Sequence, residues 1–493
     1  MVETEVCCYP RSRSLGAHAA CLTLAPQSVG SQRWAALTPL LYDWLATVHR
    51  TWPSLACRWG PPSELGSADT FSSRQRLYYA EQTDGSAPNT LIACLVDVAK
   101  PRCCDAASVA RAWERSAGPA SAFRKGKTLY HPGEVNKIRE VNGVPCEAVV
   151  THSDCAEAFL WNVSTQADRA GDGRSEPSRP DCLLVGHTAD ARFALATAPG
   201  SACVASGGED NAVCLWRLAD LDSSLLGAEA GAARGSLNSG GLGALAAGGA
   251  PPQLRASSRF SGHSQTIEDV SFHPTRDTQL CSVGDDSALC FWDAGAGATP
   301  ALKLAGAHGS ADVHCCDWSA AQEHLVLTGG ADNSVRLFDR RKGGQGGQGT
   351  QAALLHVFCG HSDAVNAVQW CPDAPTVFAS AGSDGLVNVW DTQRLGQPPA
   401  GGPPPELIFQ HPGHKGSPVL DFQWSAAVPW TCVSVSENAE AGGSLVQCWR
   451  MSDFIYRPEA DILAEMERHR EQLTAPPPAE DADVEEDVDE ECV

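Results

Sequence analysis

A phrase of fixed internal spacing recurs along this chain and limits the folds open to it. It runs as a histidine, an apolar stretch, a serine or threonine, an aspartate four residues on, and an aromatic six residues after that. The full copies are His187, Ser206, Asp210 and Trp216; His263, Ser282, Asp286 and Trp292; His308, Thr328, Asp332 and Phe338; and His361, Ser380, Asp384 and Trp390. Weaker copies flank them. One has His131, Thr151 and Trp161, with Cys155 where the aspartate should be. The other has His414, Ser434, Asn438 and Trp449, with extra residues around Gly442 and Gly443. Upstream, Leu55 to Trp59, Arg76 to Glu81 and Thr90 to Val98 form a further β-rich set separated by turn residues. A unit of this size cannot bury its faces alone, but a ring of them can.

The expectation is an all-β, seven-bladed WD-repeat β-propeller over residues 53–455. The upstream set makes the seventh blade together with the final repeat's outermost strand, because a propeller must close. The residue types of the phrase suit this fold. A short aspartate carboxylate bonds backbone N–H groups in a tight turn. The histidine bridges it to the hydroxyl, and the tryptophan closes the stack. Histidine, serine and aspartate are also the parts of a hydrolase triad, but recurrence once per blade reads as structural glue. No P-loop, G-x-S-x-G or metal-ligand spacing is present, so no enzyme, cofactor or metal is expected.

The chain has 493 residues and a net charge of −23. That balance disfavours phosphate backbones as the main partner and suits basic proteins. No apolar run reaches the ~18 residues of a membrane helix. No two of the 21 cysteines sit three apart, so the expectation is reduced thiols in an intracellular protein. Met1 to Pro10 lacks a positive region followed by an apolar core, so no secretory signal is expected.

Between the repeats, residues 219–258 read as a flexible Ala/Gly/Ser insertion. Ser164 to Pro180, Gly343 to Gly349 and the proline loop 397–405 read as surface loops. Trp34, Leu37, Leu41, Trp44 and Val48 recur in steps of three and four, which predicts a helix over 31–50 near Pro39. A second helix is predicted over 456–473, with Ile462, Leu463 and Met466 on one side. Both are expected to pack on the propeller's flank, with a groove between them suited to a partner helix. Residues 1–30 and 474–493 read as disordered tails, and Glu480 to Glu491 holds nine acids in twelve residues. Residues 6–33 carry arginine and serine without acids, a composition shared with organelle transit peptides.

Leu41-Tyr42-Asp43-Trp44-Leu45 followed by Trp52-Pro53-Ser54-Leu55, and His131-Pro132-Gly133-Glu134-Val135-Asn136-Lys137-Ile138-Arg139, resemble the histone-binding WD-repeat family. That family includes the retinoblastoma-associated histone-binding proteins and the plant MSI proteins. Ile267-Glu268-Asp269-Val270, Pro404-Pro405-Glu406-Leu407 and Pro429-Trp430 add to the likeness. The run Trp449 to Glu459, after a Gly-rich insertion, resembles the plant and algal branch typified by the flowering-time regulator FVE.

The resemblance implies two sites. The first helix of histone four would lie between Leu41, Trp44, Leu45 and Val48 on one side and Pro404, Pro405, Glu406, Leu407 and Phe409 on the other. The tail of histone three would cross an acidic top face at Glu134, Asn136, Asp190, Glu268, Asp269 and Asp312. Two departures are visible: Gln397 to Pro405 carries no acid, and Ala364 stands where animal members have Glu. By the same resemblance the chain is a nuclear, non-catalytic scaffold. Its implied partners are core histones three and four and the subunits of deacetylase, assembly or Polycomb complexes. The alternative is a substrate receptor for a cullin-type ubiquitin ligase, contacting an adaptor through W-D-x-R. The nearest match to that motif is Phe338-Asp339-Arg340-Arg341.

Overall fold

The computed structural model describes residues 37–62, 71–102, 122–171, 175–221, 250–344, 349–396, 403–438 and 443–474. Their strands form seven separate sheets. The innermost strands are Cys57–Pro62, Lys137–Glu140, Leu195–Thr197, Ile267–Phe272, Val313–Trp318, Val365–Trp370 and Val419–Trp424, for blades 1 to 7 in that order. Each touches the next, and the seventh touches the first. The result is a closed seven-bladed propeller.

Channel-facing side chains staple successive blades together. The amide of Cys316 donates to Asp269 (3.0 Å), Trp370 to Asp317 (2.7 Å), Trp424 to Gln369 (2.9 Å) and Trp59 to Gln423 (2.6 Å). These link blades 4, 5, 6, 7 and 1 in sequence. From blade 1, Arg58 Nε donates to the Ile138 carbonyl of blade 2 at 3.1 Å. Between the blades lie separate apolar layers, each built from two neighbouring sheets.

The seam differs from the sequence expectation. The upstream set, with Phe123–Tyr130 as its outer strand, is a complete blade in its own right. Closure comes from Tyr42–Arg50, which pairs antiparallel with Gly443–Met451 as the outermost strand of blade 7. Residues 37–41 are helical, so the N-terminal helix ends at 41 and the stretch 42–50 is strand. Trp44 and Leu45 point into opposite layers. Trp44 packs with Cys57, Trp59 and Val446, and Leu45 with Tyr42, Phe409 and Trp449. Consecutive residues buried on opposite faces are the mark of a strand covered on both sides, and such a run also satisfies steps of three and four.

Part of the segment read as a flexible insertion is ordered. Gln253–Arg255 runs parallel to Cys182–Val185 as a fifth strand of blade 2, and Ser258–Ser261 is the outer strand of blade 3. Its stretch 222–249 lies outside the described residues, as do the tails 1–30 and 475–493, residues 172–174 and 345–348, and the acid-free part of the proline loop, 397–402.

The C-terminal helix, Glu459–Thr474, is held by charge. Arg102 pairs with Asp453 and Glu465. Arg457 reaches Glu465 at 2.7 Å and Asp453 at 3.0 Å. Leu463 and Met466 stay 57% exposed.

Candidate functional site

The recurrent side chains build the blades. His187, His263, His308 and His361 each place Nδ1 at 2.7–3.0 Å from Asp210, Asp286, Asp332 and Asp384. Each Nε2 lies 2.7–2.8 Å from Ser206, Ser282, Thr328 and Ser380. The residues after the aspartates, Asn211, Ser287, Asn333 and Gly385, have φ of 57°, 56°, 64° and 81°. This left-handed step turns the chain so the carboxylate can accept amide protons from the flanking turn. Burial opposes ionisation of Asp210, Asp286 and Asp332, yet imidazole and amide hydrogen bonds hold all three well below the usual carboxylate range. The sets vary. Trp292 and Trp390 donate to Ser282 and Ser380, but Trp216 donates to the Val185 carbonyl. In blade 2, His131 Nδ1 turns to the Gly133 carbonyl (2.9 Å). In blade 7, His414 Nδ1 meets Ser436 Oγ (2.6 Å), so Ser436 stands in the place expected of Asn438.

At the channel mouth, Glu134, Asn136, Asp190, Glu268, Asp269 and Asp312 all lie at or just before inner strands of blades 2 to 5. They differ in availability. Asn136 is buried and donates to Asp154 at 2.8 Å. Asp190 pairs with Arg192 at 3.2 Å. Asp269 accepts amide protons from Val270 and Cys316, so it belongs to the wall. Glu268 and Asp312 pair with no cation within ion-pair distance among the described residues. Asp285 joins them. Burial, then the charge of Asp285, raises Glu268 to about 7 against the pull of Lys137, with Asp269 and Asp312 adding to the rise. Burial, then Asp312, raises Asp285 to about 6. These acids therefore share one field that a ligand cation would relieve. Asp285 is absent from the sequence-derived set. The Asp285-Asp286 doublet was the available signal, since only the second aspartate serves the repeat.

At the N-terminal edge, the structure brings part of the expected groove together around Tyr42. Its ring lies 5.5 Å from Phe409, and its hydroxyl donates to His411 Nδ1 at 2.6 Å. Leu41 and Val48 are half-buried, as are Pro404, Pro405 and Leu407. Trp44, Leu45 and Phe409, at 4–5% exposure, are core rather than groove residues. Glu406 is also buried, with His356 Nε2 donating to it at 3.3 Å. The side chains left open on this edge are Leu37, 46% exposed, and Leu40, 69% exposed.

The adaptor-like motif is engaged internally. Arg341 pairs with Asp339 at 2.8 Å. Arg340 lies over the Trp318 ring at 5.1 Å and donates to Gln279.

Comparison with known proteins bears on both surfaces. Residues 31–100 match the family model of the histone-binding protein RBBP4, a component of the CAF1 complex. Residues 180–217, 255–293, 301–339 and 352–391 match the WD domain, G-beta repeat. The chain is 44% identical over 445 residues to the "WD-40 repeat-containing protein MSI4" of Arabidopsis thaliana, covering 90% of this chain and 85% of that one. The match at the closing strand, the repeats and the full-length relative together mean that the chain belongs to the histone-binding WD-repeat family.

Proposed function

We propose that this chromatin-associated propeller is a nuclear, non-catalytic scaffold with two histone surfaces. One receives the first helix of histone four between the N-terminal helix and the 403–407 segment. The other receives the tail of histone three across the channel mouth. We further propose that it serves in complexes of the deacetylase, assembly or Polycomb type.

The carrying observation is a coincidence of position. The stretch that matches the histone-binding model, 31–100, contains Leu37 and Leu40, which stand exposed beside the seam. An apolar pair at an edge suits the apolar face of an amphipathic helix. The acids at the mouth suit a basic extended tail.

The test is retention of purified core histones, one at a time, across a salt series. Salt-sensitive retention of histone four, lost when Leu37 and Leu40 are both replaced by Asp in a chain that melts normally, supports the edge assignment. Retention unchanged by that double replacement overturns it. Retention of no histone overturns the function.

A further inference from the structure

The rim is not equally open around its circumference. Arg192, at the start of blade 3, lies among acids from three separate segments. Its Nε is 3.7 Å from Asp154 in the blade 2 turn and 3.3 Å from Glu209 in the blade 3 turn. Its terminal nitrogen bonds Asp190 in the connection between them at 3.2 Å. Backbone bonds fix these segments: Ala191 N–H donates to the Cys155 carbonyl, and Glu209 N–H to the Asp190 carbonyl. Asn136 holds Asp154 from the other side. The acids are therefore placed, and the space between them is filled by a cation of the chain itself.

The fit is loose. Arg192 is 40% exposed, and its Nε makes no hydrogen bond in spite of the two nearby carboxylates. Across the mouth, Glu268, Asp285 and Asp312 have no arginine or lysine within ion-pair distance among the described residues.

We infer that Arg192 is an internal counter-cation that occupies the blade 2–blade 3 sector of the rim and directs a basic tail to Glu268, Asp285 and Asp312. This rests on the reading of the rim as the tail site. A lysine or arginine arriving at Asp190 meets a like charge already seated there, whereas at Glu268 it meets only acids. Arg192 thus determines which half of the rim a tail engages, and its removal opens a second acidic subsite.

The experiment is a double-mutant cycle read by fluorescence anisotropy at low salt, with a synthetic peptide of the histone three N-terminus as probe. The variants are Asp190→Asn, Arg192→Gln, the pair together, Arg192→Lys and Glu268→Gln, each checked by thermal melting. The inference expects Arg192→Gln to tighten binding by up to ~5-fold, the scale of an exposed ion pair. It expects Asp190→Asn to matter little in the native chain but to cost a similar factor once Arg192 is gone. Arg192→Lys keeps the charge and should behave as the native chain. Equal effects of Asp190→Asn in both backgrounds, or no gain from Arg192→Gln while Glu268→Gln still weakens binding, overturn the inference alone. No loss from Glu268→Gln overturns the rim reading and the inference with it.

Discussion

Within blade 4 a hydrogen-bond chain fixes every proton. Trp292 donates to Ser282, the Ser282 hydroxyl donates to His263 Nε2, and His263 Nδ1–H donates to Asp286. Removing the imidazole orphans a buried hydroxyl and leaves Asp286 short of one donor. His263→Ala should therefore cost about 2–3 kcal/mol by denaturant unfolding while leaving histone retention by the folded fraction intact. Other buried imidazoles make the fold acid-sensitive. Burial depresses His131 to about 4 and His411 to about 3. A histidine held neutral in the fold and free to charge when unfolded stabilises fully above the unfolded value near 6.5. That contribution is lost as pH falls from there toward 3–4. For His131 it is on the order of 3 kcal/mol. The aspartates of the repeat have depressed values instead, so their contribution fails only below pH ~4. Denaturant midpoints at pH 7.5, 5.5 and 4.5 should fall at each step.

The element that sequence reasoning misplaced is the closing strand. Leu41, Trp44, Leu45 and Val48 satisfy a helical spacing, but so does a strand with both faces buried, and only the partner Gly443–Met451 distinguishes the two. The His/Ser/Asp/aromatic phrase was legible because each copy makes its own hydrogen bonds within one blade. The seam was not, because its two strands come from opposite ends of the chain. The difference changes what mutagenesis should find. Trp44→Asp puts a charge between blades 7 and 1 and should abolish folding, whereas Leu40→Asp alters an exposed side chain and should leave the melting temperature within a few degrees. Tyr42→Phe removes the bond to His411 and should cost about 1–2 kcal/mol.

For the whole molecule, the net charge of −23 sets a field favourable to basic partners, and the mouth acids concentrate it. Sequence showed which positions carry acids. It could not show that Asp269 is used up in a staple or that Asp285 turns to the mouth, since both depend on neighbouring blades. The coupling of Glu268 (about 7) and Asp285 (about 6) gives binding a pH signature. A cation prefers both ionised, so affinity for an N-acetylated histone three tail peptide should rise roughly tenfold from pH 5.5 to 7.5 and then level off. A flat profile would remove Glu268 and Asp285 from the site.

The seam also imposes an order of events. During synthesis the strand Tyr42–Arg50 leaves the ribosome early, and its partner Gly443–Met451 leaves near the end. In the interval the first strand carries an unpaired edge and uncovered Trp44 and Leu45, a state that favours aggregation and calls for chaperone protection. The platform that presents Leu37 and Leu40 does not exist until blade 7 is complete. Cargo capture is therefore tied to finished translation, and a product truncated before blade 7 is denied its histone rather than merely weakened for it.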